Sequence, residues 1–130
     1  MNRNVMLIIA SLLSILFFTL HLADDIVRGM EPGTLTNLQA IPIFVLWLYG
    51  TLVLAGRRSG YVLTLLGGLF ALLAPLAHFR GKGVGLASRV AGSSGHFFFV
   101  WTMIAMGVTG LFSVILSLHG LWSLRRGQPR

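Results

Sequence analysis

Four long runs of apolar residues, separated by short polar stretches, dominate the chain. They cover approximately residues 5–22, 38–55, 61–78 and 97–122. Each is near or above the roughly 18–20 residues that an α-helix needs to cross about 30 Å of hydrocarbon. Backbone groups in lipid have no water to bond to, so such runs must pair their own N–H and C=O groups as helices. The pattern predicts an all-α, integral membrane four-helix bundle, up-down-up-down, forming a single transmembrane domain over residues 1–130 with short interhelical loops. The five-residue connection GRRSG makes the second and third helices an antiparallel hairpin.

Within three of these runs, polar and small residues recur three and four apart and so share one helical face. Ser11, Ser14, Phe18, His21, Asp25 and Arg28 form such a stripe on the first helix. Gly60, Thr64, Gly67, Ala71, Pro75 and His78 form one on the third. His96, Phe99, Met103, Met106, Gly110, Ser113, Ser117 and Gly120 form one on the fourth. Small residues and hydroxyls mediate helix association in lipid, so the stripes are expected to face one another, with Met103 and Met106 as packing. Trp47 and Tyr49 are expected as bundle contacts; Tyr61, Trp101 and Trp122 fit an interfacial aromatic belt. Pro75 is expected to bend the third helix.

Composition agrees with the pattern. Of 130 residues, 55% are hydrophobic and 10% charged, and the mean hydropathy is +0.85. The chain has no cysteine, which excludes disulfides, thiolate metal sites and thiol redox relays. The net charge of +7 comes from cations that all flank the apolar runs, where they set topology and meet anionic headgroups. No nucleic-acid partner is expected; the bilayer is the partner, together with a lateral membrane protein or a second copy. The first run is longer than a signal-peptide core, and His21 stands where a small residue would precede cleavage, so a retained first helix is expected. Six Lys and Arg residues fall on the side of the termini and four on the opposite side. That balance predicts cytoplasmic termini, in a bacterial cytoplasmic membrane.

The candidate chemistry is confined to one end of the bundle. All three acidic residues, Asp24, Asp25 and Glu31, lie in the stretch HLADDIVRGMEPG after the first apolar run. His21 is three residues before Asp24 and four before Asp25. His78 ends the third run and His96 begins the fourth, at similar depth. His21, Asp24, Asp25, His78 and His96 are therefore the candidate ligands for a divalent metal, or members of a proton relay. The competing expectation is structural: Arg80, Lys82 and Arg89 would pair with the carboxylates, docking loops or lipid phosphate. The segment GKGVGLASRVAGSSG lacks the order of a phosphate-binding loop, and Ser93 or Ser94 is expected to cap the fourth helix.

The first run lacks the embedded glutamate that small multidrug transporters use, and His119 stands alone at the other end, which excludes two haems. No charge interrupts any of the four runs, whereas functional sites inside membranes are commonly marked by one. The resulting expectation is a non-catalytic accessory, scaffold or helix-interaction protein with no cofactor. The alternative is a membrane protein whose exterior His/Asp site handles a metal ion or protons, as a sensor, enzyme or homo-oligomeric transporter.

Overall fold

The computed structural model describes residues 2–80 and 90–127 and, of residues 79 and 80, the backbone only. Lys82, Arg89 and the Arg80 side chain, expected to dock loops or bind lipid, lie outside the described residues. Helix α1 spans Arg3–Val27, α2 Ala40–Leu52, α3 Arg58–Arg80 and α4 His96–Arg125; a 3-10 turn, Leu35–Gln39, precedes α2. No strand occurs among the described residues. The helices form an up-down-up-down bundle, and among the described residues four segments are long and apolar enough to cross a membrane. The protein is an integral membrane four-helix bundle.

Each helix is bounded by local chemistry. The Asn2 side chain accepts the Asn4 backbone N–H at α1's start. At its other end Gly29 adopts φ +69°, and the Met30 N–H returns to the Asp25 carbonyl at 2.8 Å. That left-handed position favours glycine, having no Cβ to clash. Helix α1 therefore runs five residues past the end of the apolar run at residue 22, through Asp25 as expected, and carries both aspartates within its last turn and a half.

The second span differs from the continuous helix expected over residues 38–55. Pro42 has no N–H to bond the carbonyl of Leu38, so an α-helical ladder cannot run through that point. The chain winds as a 3-10 turn up to Gln39 and becomes α-helical from Ala40. The tighter winding rises about 2.0 Å per residue against about 1.5 Å, which lets 18 residues, Leu35–Leu52, still reach across.

Helix α4 packs along α1 and α3, while α2 leans mainly on α3. Phe99, Met103, Met106, Ala71, Ser113 and Ser117 are fully buried, so the predicted stripes do face inward. Gly68 and Gly110 mark a close crossing of the α3 and α4 backbones. A Cβ on Gly110 would sit 2.9 Å from the Gly68 carbonyl oxygen and 3.0 Å from the Ala71 Cβ. Gly67 leaves room for the Trp47 ring, which a Cβ there would overlap.

Two aromatic expectations change. Tyr49 is exposed on α2 rather than a bundle contact. Tyr61 is buried and donates its hydroxyl to Asn4 Oδ1 at 2.6 Å instead of lying in a belt. A tyrosine can bury its ring when its O–H finds an acceptor, and Asn4 supplies one. Trp101 and Trp122 are exposed, as an interfacial belt requires.

Candidate metal centre

The continuation of α1 past residue 22 places His21 and Asp25 one turn apart on the face turned towards α3 and α4. His78 approaches from the last turns of α3. Among the described residues, one group of side chains is arranged to hold an ion: His21, Asp25 and His78. His21 Nε2 lies 3.4 Å from His78 Nε2. Asp25 Oδ2 lies 3.5 Å from His78 Nε2 and 3.8 Å from His21 Nε2. Three ligand atoms thus form a triangle with nearly equal edges.

The outer nitrogens decide which atoms carry hydrogen. Thr102 on α4 donates its hydroxyl to the carbonyls of Phe98 and Phe99, both at 3.0 Å. Its oxygen is then an acceptor for His21 Nδ1, 3.0 Å away, so Nδ1 holds the proton. His78 Nδ1 lies 2.9 Å from the Ala74 carbonyl, which can only accept, so it too is the protonated nitrogen. In a neutral imidazole the other nitrogen bears a lone pair. With both rings neutral, two Nε2 lone pairs and a carboxylate oxygen converge; a second proton on either ring would sit on its Nε2 and make it the donor of an ion pair with Asp25. Asp25 Oδ1 is also buried without a hydrogen-bond partner.

Distance separates two ways of relieving this convergence. A proton shared between charged partners draws the heavy atoms to about 2.7–2.9 Å. All three edges are well beyond that. A tetrahedral ion with bonds of about 2.0–2.2 Å holds its ligand atoms about 3.3–3.6 Å apart. Two edges fall in that range and the third is slightly wider. The outer hydrogen bonds are also those that metal-ligating histidines use to fix ring orientation and tautomer.

Phe99 closes the α4 side, with ring centroids 4.8 Å from His21 and 6.1 Å from His78. On the other side the triad opens into a cavity of about 200 Å³, to whose wall Met30, Glu31 and Phe18 contribute. This space accommodates water or an added ligand in the remaining coordination positions, as in sites that keep an open position for chemistry.

The remaining candidates go elsewhere. Asp24 accepts from Arg28 Nε at 2.7 Å, one turn along α1, and is not part of the triad. Arg28 also donates to Ser93 Oγ at 3.1 Å, tying the end of α1 to the approach to α4. Ser93 turns its hydroxyl back to the Val90 carbonyl, and the N-cap of α4 is Gly95, so neither Ser93 nor Ser94 caps by its side chain. His96 lies outside the triad, and its Nδ1 is buried without a partner. Phe99, one turn further along α4, occupies the position against the imidazoles that His96 would need.

Thr102 was not among the residues singled out from the sequence. Its signal was faint: a hydroxyl three residues past the stripe position Phe99 and one before Met103, in an otherwise apolar stretch. Glu31 was noted only as one of three acids; the reversal at Gly29 brings it over the cavity. No family model matches the chain, and neither a curated protein nor a solved structure matches it.

Proposed function

We propose that this membrane protein binds one divalent first-row transition metal through His21 Nε2, Asp25 Oδ2 and His78 Nε2, with a coordination position open to the adjoining cavity. One observation carries the reading: three lone-pair-bearing atoms converge at metal-ligand spacing, with both imidazole tautomers set by hydrogen bonds on the far side. Two histidines and one carboxylate with open positions suit Zn²⁺ or Fe²⁺. The site supports a role in metal-dependent chemistry or metal sensing at one membrane face over a purely structural accessory role. The cation balance supports cytoplasmic termini, which would put the site near the exterior face of a bacterial cytoplasmic membrane.

The test is metal analysis of protein purified without a polyhistidine tag or chelator, followed by Co²⁺ titration monitored by absorption. One ion per chain is expected, lost in His21→Ala, His78→Ala and Asp25→Asn and kept in His96→Ala. Asp25→Asn also separates metal loss from misfolding. Its amide N–H₂ would donate to an imidazole lone pair, so the variant should melt at or above the temperature of the metal-free wild type. Failure to bind Zn²⁺, Fe²⁺ or Co²⁺, or retention of stoichiometric metal by Asp25→Asn, would overturn the reading.

A further inference from the structure

The metal cavity does not end at Glu31. Phe18, Leu22 and Glu31 also line a second cavity of about 270 Å³, which extends along α2 past Ala40, Ile43 and Phe44. Ile43 and Phe70 are shared in turn with a third, of about 160 Å³, that reaches Trp47 and Gly67. Each alone is smaller than the about 300–1,000 Å³ of an ordinary small-molecule site, but their shared lining residues set the three end to end, a path of adjoining hollows.

The path changes character along its length. At the triad its walls carry His21, Asp25, His78 and Glu31; around the second cavity Asn37 and Gln39 form a polar rim; the third is lined by apolar side chains and Gly67. Its outer walls, including Ile43, Leu46, Leu66 and Phe70, are exposed on the surface of a membrane bundle, so the apolar part is open to lipid. The path exists because α2 is the loosest member. Only 17% of its span is buried, against 44% for α4. From His78 back to Gly67 is eleven residues of α3, about 16 Å of helix, close to half of a hydrocarbon core of about 30 Å. A chain lying in the groove would occupy one leaflet.

We infer that the ligand of this site is a single-tailed amphiphile, with an oxygen-donor head on the metal beside Asp25 and a hydrocarbon tail in the α2–α3 groove. The inference rests on the metal reading above and names the class of molecule that reading leaves open. A head group arriving from the aqueous side alone would need no apolar extension. A lipid covering the groove non-specifically would need no connection to the triad.

Two probes with one head group test it: acetohydroxamate and decanohydroxamate, titrated into the Co²⁺-loaded full-length protein and followed by the Co²⁺ absorption. The tailed probe should bind at least about tenfold more tightly, since a few buried methylenes supply that much. Ala40→Phe fills the second cavity without touching the triad; it should remove most of the tail advantage and leave acetohydroxamate binding unchanged. Ile43→Trp, in the same groove, is the second variant should the first not fold. Detergent partitioning of the tailed probe is common to all samples and cancels between wild type and variant. Co²⁺ binding with a tail advantage that both variants retain would overturn the amphiphile inference alone. Absence of Co²⁺ binding would overturn the metal reading and this inference with it.

Discussion

Two polar clusters, one towards each end of the bundle, handle buried polarity in opposite ways. Towards the termini, hydrogen bonds close on themselves. Trp47 Nε1 donates to Ser11 Oγ at 2.8 Å, the Ser11 hydroxyl meets Thr51 Oγ1 at 2.7 Å, and Thr51 donates back to the Trp47 carbonyl at 2.8 Å. Thr64 donates to the Gly60 carbonyl at 2.9 Å and so accepts from Ser117, also at 2.9 Å. Every hydrogen in these sets has an acceptor, and that of Thr64 also reaches the Tyr61 carbonyl at 3.2 Å. At the other end the hydrogens of His21 and His78 point away from each other, to Thr102 and Ala74, and acceptor faces acceptor. The first arrangement is complete as protein; the second leaves three acceptors facing one another, which the proposed ion would satisfy. Satisfied hydroxyl pairs hold helices together in lipid, whereas converging lone pairs repel until something positive separates them.

The largest expected effect comes from the hydrogen bond that sets the His21 tautomer. Thr102→Val keeps the shape of the side chain and removes the acceptor for Nδ1. Metal affinity should fall about 10–100-fold, the usual consequence of losing such an outer partner, and Thr102→Ser should restore it. Competition titration with a Zn²⁺ chelator measures this; unchanged affinity in Thr102→Val would mean that the tautomer is not set there.

A smaller effect is expected at the closed end. Ser11→Ala leaves the Trp47 indole N–H without its acceptor and should lower unfolding stability in detergent by about 0.6–1.7 kcal/mol, the range measured for interhelical hydrogen bonds in membranes. Metal stoichiometry should not change. Loss of metal in Ser11→Ala would show that the two ends are coupled and break the contrast between them.

The smallest effect belongs to Asp24. Its pair with Arg28 sits at the helix end and is partly exposed, so Asp24→Asn should cost about 0–1 kcal/mol and leave metal content intact. A metal loss matching that of Asp25→Asn would place both aspartates in the site.

Much of this was determined by sequence alone. Apolar run length in a solvent without hydrogen-bonding capacity dictates helices, and four such runs with short connections dictate a bundle of alternating direction. The stripes at three- and four-residue spacing were equally legible, because Cβ direction on a helix follows from position. So was the nearness of His21 to Asp25, which is local, one turn apart on one helix. Tertiary structure decided the rest. Asp24 and Asp25 are neighbours of the same type in the sequence, yet the helix turns one towards Arg28 and the other towards His78. His78 and His96 looked alike at the ends of their runs, but Phe99 fills the face that His96 would have shared. Thr102 and the lining of the cavities came from partners eighty and more residues away, or from gaps beside a loosely packed helix. Local periodicity carries no record of those distances, because they arise only when side chains from separate helices meet in one volume.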